Sequence, residues 1–349
     1  MDSFGYFMLI VFGVVVLAGI IFFTMRKSDN EDNSAAADYA AGLNYLVSGD
    51  RTMALKKLRE AARKNTENVD AYIKIGDILR DGGHVEQAIK VHGDLVVRTN
   101  LNTAEQMLIL RSLEADFEAK DHYDAALKIL EKIYKLQKND LWAREQELRI
   151  HETRKDWKKA EEVYRLLAKQ KNLNDSSKIA AYRVETGRQF LADGKKKDAR
   201  EAFKDAIKVD AGHYPAYSEL CEIFVGEDKK DDAYQTLVKF VETNPDNAAQ
   251  AFKRMQELRF EIGDYGQIES VYENVITKSP ENWEAYLALA DIKDKKGEYD
   301  QAIQLSREVI GKKPEFQKAK ESLVRYLHNS GNDKAAVEQA LALFDEQAS

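Results

Sequence analysis

A small residue returns along this chain at an almost fixed interval, and that interval decides what the chain can fold into. Ala54, Ala88, Ala126, Ala160, Ala199, Ala233, Ala302 and Ala336 mark it, with Ile268 standing at the one remaining place. Successive marks lie 34 or 35 residues apart, except for steps of 38 from Ala88 to Ala126 and 39 from Ala160 to Ala199. Twelve residues before the mark stand Gly42, Gly76 and Gly187, with Cys221 and Ala290 as small substitutes; twelve after it stand Pro245, Pro280 and Pro314. The segment from Asn282 to Pro314, NWEAYLALADIKDKKGEYDQAIQLSREVIGKKP, shows what one interval contains. Tyr286, Leu289 and Ala290 fall on one face of a first helix, Gly297 breaks the chain, and Ala302, Leu305 and Val309 fall on one face of a second. Each interval is therefore a helix hairpin, with the small residue where two tightly packed helices approach most closely.

Nine such intervals at this period resemble the tetratricopeptide repeat, which implies an all-α solenoid of about nine helix hairpins over residues 38–349. Composition agrees with an all-helical chain, since only 4 of the 349 residues are proline and 32% are charged. A length that would suggest two or three domains in another fold can then be one stacked body. The net charge of −7 is mild and the signs alternate along the helices, so a nucleic-acid footprint is excluded as a reading. The single cysteine, Cys221, falls at the small register and reads as a buried packer that can form no internal disulfide.

Before the repeats, Phe4 to Met25 is a run of 22 residues without a charge, 14 of them Leu, Ile, Val or Phe. As a helix it would span roughly 33 Å against a bilayer core of roughly 30 Å, so residues 1–27 read as an N-terminal transmembrane anchor with a basic flank. Arg26 and Lys27 follow the apolar run instead of preceding it, which argues against a cleaved signal peptide and sets the repeats on the cytoplasmic side. Residues 28–37 read as a polar tether.

The first two hairpins carry a narrower resemblance. Asp38, Tyr39, Ala41, Gly42, Asn44, Leu46 and Ser48 are its first string. Val69, Ala71, Gly76, Arg80, Gly83, Val85, Ala88, Ile89, His92 and Leu95 are its second. Both strings are similar to the start of the lipopolysaccharide assembly protein B family, whose layout is also a membrane helix, a basic flank and then repeats. The resemblance implies a non-enzymatic adaptor on the bacterial inner membrane that presents the deacetylase LpxC to the membrane protease FtsH. Members of that family end in a rubredoxin-like ribbon with two Cys-x-x-Cys pairs, for which one cysteine cannot supply the four thiolates. The alternative is a tetratricopeptide scaffold of another envelope assembly complex, periplasmic if the orientation is inverted.

No catalytic constellation, cofactor site or metal site stands out. His151-Glu152 opens like a zinc-protease motif, but Lys155 occupies the place of the second ligand. His92 shares its register with Tyr164, Phe203 and Tyr272 and reads as a satisfied core histidine. Partners are expected in the concave surface lined by the first helix of each hairpin. The positions expected there are Asp77, Arg80, Arg111, Trp142, Arg149, Arg188, Glu222, Lys253 and Asp291, with Trp142 and the arginines as the anchors. A looser hairpin is expected around Ile268, bends at 101–103 and 172–177, and a capping hairpin over Phe316 to Phe344.

Overall fold

The computed structural model describes residues 33–260 and 265–348, which hold eighteen α-helices, one short 3-10 turn and no strand. They fall into two compact units that divide between Arg154 and Lys155. Unit one contains α1 (33–47), α2 (Arg51–Lys64), α3 (Val69–Asp81), α4 (Val85–Val96), α5 (Thr103–Glu118), α6 (Tyr123–Leu136) and α7 (Leu141–Thr153). Unit two contains α8 (Trp157–Lys171), α9 (Ser176–Ala192), α10 (Lys196–Val209), α11 (Tyr214–Val225), α12 (Lys230–Thr243) and α13 (Ala249–Phe260). It continues with α14 (Tyr265–Lys278), α15 (Trp283–Lys295), α16 (Tyr299–Lys312), α17 (Gln317–Asn329) and α18 (Asp333–Ala348). Within each unit consecutive helices pack antiparallel as hairpins and each hairpin stacks on the next, which is the solenoid that the repeat implies.

The apolar run Phe4 to Met25 and its basic flank lie outside the described residues. Among those described, no helix is long and apolar enough to cross a membrane. The stretch read as a tether already enters α1 at residue 33. Ala35 is buried, and Lys64 on α2 reaches back to Ser34 at 2.7 Å and to Asp38 at 2.5 Å.

The register marks have steric causes. Ala54, Ala88, Ala126, Ala160, Ala199, Ala233, Ala302 and Ala336 are all buried, the first seven completely. The glycines twelve residues earlier face a large side chain of the second helix. A Cβ on Gly42 would lie 2.7 Å from Leu58, on Gly76 2.2 Å from the His92 ring, and on Gly187 2.4 Å from the Phe203 ring. Cys221 stands at the same register, fully buried, and burial pushes its thiol up to about 11, so it is an inert packer. At the seventh hairpin Ile268 fills the small position and is fully buried, and α13 meets α14 over a shorter stretch than α15 meets α16.

Helix starts follow local chemistry. Asp50, Asn68, Asp140, Asp175 and Asn282 each accept a hydrogen bond from the backbone N–H three residues on, and Asn102 forms a full capping box with Glu105. Between the helices of a hairpin, five residues before the mark, the backbone turns left-handed. Gly49, Gly83, Gly194, Gly297 and Gly331 sit there with φ of 75–84°. Asp121, Lys155 and Asp228 hold φ of 56, 57 and 60° at the same place. A short carboxylate tolerates this conformation, whereas a lysine bears the Cβ clash of about 1–2 kcal/mol without compensation. Lys155→Gly is therefore expected to raise the urea unfolding midpoint by the equivalent of about 1 kcal/mol.

Candidate partner-binding surface

The odd-numbered helices are the first helices of the hairpins, and all nine positions expected at the concave surface lie on them. Most, however, are already engaged with a neighbouring first helix. In unit one Arg80 on α3 reaches Asp116 on α5 at 3.0 Å as well as Asp77 at 2.9 Å on its own helix. Arg111 on α5 reaches Asp140, the cap of α7, at 2.9 Å, and its guanidinium lies 4.9 Å above the Trp142 ring. Arg149 on α7 pairs back to Glu118 at the end of α5. In unit two Arg188 on α9 reaches Glu219 on α11 at 2.7 Å. Glu222 on α11 takes Arg254 of α13 at 2.9 Å, and Asp291 on α15 takes Arg325 of α17.

The pairs in each unit thus form a ladder that ties successive first helices together. Exposed rungs contribute roughly 0–1 kcal/mol each, so the ladder fixes register more than it stabilises. Trp142, read as an exposed anchor, is half-buried beneath Arg111 and packs on the core of α5, α6 and α7.

One rung is buried. Asp116 and His92 are completely enclosed, with His92 Nδ1 2.6 Å from Asp116 Oδ2 and His92 Nε2 3.1 Å from the Ile73 carbonyl. Because the carbonyl can only accept, Nε2 carries the hydrogen of that contact, and a second hydrogen bond joins Nδ1 to the carboxylate. The core histidine of the sequence reading is thus satisfied at both nitrogens. Arg80 Nη1 completes the network and also donates to the Ser112 carbonyl at 3.3 Å.

Glu114 lies two residues before Asp116, at the register that is glycine in other hairpins, and it is 1% exposed. Neither carboxyl oxygen finds a partner. Burial, and then the nearby Glu118, push this carboxyl up to about 7 against the opposing pull of Arg149 and Arg80. A carboxyl with a raised folded-state pKa favours folding at low pH. That contribution is complete below the unfolded value and disappears as pH rises to about 7. The stability of Glu114→Leu minus that of the natural chain is expected to grow by about 2 kcal/mol between pH 5 and pH 8, read from urea midpoints.

The open part of the surface is in unit two. A groove of about 370 Å³ runs between α13, α15 and α17, over a floor that includes Phe252, Leu287 and Ala288. Lys253, Lys318, Glu284 and Glu321 line it without a side-chain partner among the described residues. Asp291 lines it too, engaged by Arg325 and by the Tyr326 hydroxyl at 2.5 Å. Free charges of both signs around a small apolar floor suit a polypeptide segment of mixed charge with an apolar side chain to bury. Of the expected positions, Lys253 is the one that meets this groove unpaired. Lys318, Glu284 and Glu321 did not emerge from sequence, where they look like ordinary solvated helix residues. Glu114 did carry a signal, since counting twelve back from Ala126 lands on it.

Two stretches, 39–96 and 260–323, match the tetratricopeptide repeat family. Lipopolysaccharide assembly protein B of Escherichia coli (strain K12) is 22% identical over 238 residues, covering 68% of this chain and 61% of that protein. The chain carries tetratricopeptide repeats in these two stretches and resembles lipopolysaccharide assembly protein B. The Haemophilus influenzae protein of the same name is 24% identical over 257 residues, 70% of this chain and 64% of that one. The repeat protein thus spans less than two thirds of the length of the curated relatives it matches. Among solved structures, YrrB, a tetratricopeptide protein with an unusual peptide-binding site, is 16% identical with a TM-score of 0.38, covering 56% of this chain and 95% of that one. MamA is 22% identical with a TM-score of 0.35, covering 48% and 92%.

Proposed function

We propose that this repeat protein is a non-enzymatic, membrane-anchored adaptor whose first-helix groove holds a protein client. The observation that carries this reading is the groove on α13, α15 and α17. It has an apolar floor and unpaired charges on a face whose other charges are consumed by the ladder. The resemblance to lipopolysaccharide assembly protein B supports a more specific form. In it the apolar run Phe4 to Met25 anchors the chain in a bacterial inner membrane, with the repeats cytoplasmic and the chain bringing an LpxC-like client to an FtsH-like protease. Anchoring in the membrane of the protease would raise the effective concentration of a weakly bound client without any new contact.

The test is the lifetime of LpxC in the native cell. Lys253→Glu with Lys318→Glu reverses both free cations of the groove on exposed positions. It is expected to lengthen the LpxC half-life to that of cells lacking the chain. An LpxC half-life that responds to neither the deletion nor the double substitution would discard the LpxC reading and leave a scaffold of another envelope assembly.

A further inference from the structure

The second helices of unit one flank two grooves that the first-helix surface does not use. One, of about 270 Å³, lies between the end of α4, α5 and α6, over Val96, Leu101, Ile109 and Leu110. Arg98, Lys132 and Lys135 line it, and no carboxylate does. The other, of about 550 Å³, lies between α2, α3 and α4 over Tyr72, Ile75, Leu79 and Val91, and it is lined by Arg59, Arg63 and Lys90, again without a carboxylate. The grooves share a wall. Arg98 stacks 4.7 Å over the Tyr72 ring and donates to the Thr66 carbonyl at 2.9 Å, which fixes a cation between the two apolar floors.

The cations lining these grooves are unlike those that tie the helices of the unit together. Lys57, Lys64, Arg80, Arg111, Arg149 and Arg154 are all neutralised by carboxylates. Arg59, Arg63, Lys90, Lys132 and Lys135 are exposed and have no side-chain partner among the described residues. Five unneutralised cations around adjoining apolar floors, in a chain of net charge −7, form a local positive field of the kind that selects an acidic partner.

We propose that the two grooves form a second docking surface for an extended acidic segment of a protein partner. Its carboxylates meet Arg59, Arg63, Lys90, Lys132 and Lys135, and its apolar side chains enter the floors on either side of the Tyr72–Arg98 stack. A peptide fits better than a lipid surface because the apolar groups are recessed between helices, in spaces sized for a few side chains. A bilayer surface is met by apolar groups that project. Lys135 also lies in the last turn of α6, where the helix dipole already favours a cation.

The test is selection of a phage-displayed library of random dodecapeptides on the full chain, followed by affinity measurement of the enriched peptides. The expected result is enrichment of sequences that combine several Asp or Glu with apolar residues. Their affinity should fall about tenfold or more on Lys132→Glu with Lys135→Glu, and likewise on Arg59→Glu with Lys90→Glu. Lys197→Glu, an exposed lysine of unit two, should leave it unchanged. All these positions are exposed, and the milder Lys132→Ala with Lys135→Ala should weaken binding in the same direction. Enrichment of neutral or basic peptides, no enrichment, or binding indifferent to the reversals would overturn the proposal. Binding to phosphatidylcholine vesicles containing phosphatidylglycerol that the same reversals abolish would overturn it too, by assigning the surface to lipid.

Discussion

Asp116→Ala is expected to lower the stability of unit one by about 4 kcal/mol, because removing one member of a buried charged network leaves the others uncompensated. Asp116 is completely buried and receives both His92 at 2.6 Å and Arg80 at 3.0 Å. Its loss would leave His92 Nδ1 facing a void and one side of the Arg80 guanidinium without its acceptor. Replacing the members together should cost much less, since an apolar trio of similar volume carries no desolvation penalty. The combination of Asp116→Leu, His92→Leu and Arg80→Met is therefore expected to be closer to the natural chain than Asp116→Ala. Urea unfolding of the full chain, followed by helical circular dichroism, measures both. A loss below about 1 kcal/mol for Asp116→Ala would mean that the network is not formed as described.

Gly187→Val is expected to cost about 3 kcal/mol, at the upper end of ordinary overpacking. The added Cβ would stand 2.4 Å from a Phe203 ring that is itself fully buried. A planar ring held on all sides cannot move aside, so α9 and α10 must separate along their length. The contrast is Gly93, in the middle of α4, where an added Cβ meets nothing within 4 Å. Gly93→Ala should raise stability by about 0.5–1 kcal/mol, as expected from helix propensity alone. Two helical glycines with opposite responses would show that the register, and not glycine itself, is what the fold requires. Equal and small effects at both positions would contradict the close approach.

Much of this architecture was legible because it repeats. The alanines, the glycines twelve residues earlier and the prolines after the second helix gave the hairpins and their packing face. His92 and Cys221 behave as their registers indicate. The ladder of ion pairs was not legible for a physical reason. Its partners lie in adjacent hairpins, 36 residues apart for Arg80 and Asp116 and 29 for Arg111 and Asp140, and helical periodicity places a side chain on a face without naming what it meets. Arg80, Arg111, Arg149 and Arg188 read from sequence as anchors for a partner, and each is engaged by a carboxylate from a neighbouring hairpin. Trp142 looked exposed because its register faces the groove, but Arg111 covers its ring. The left-handed turn at Lys155 gave no warning, since lysine carries none of the usual signals of such a turn.

The adaptor reading rests on the groove between α13, α15 and α17, and in vivo photocrosslinking measures its occupancy most directly. A photoreactive residue would replace Lys253 in the full chain, with the same residue at Lys197 as the control, in membranes of the native cell. The expected result is capture of LpxC or FtsH from position 253 and not from position 197. Equal capture from both positions, or capture of periplasmic proteins alone, would contradict the groove as a client site on the cytoplasmic face.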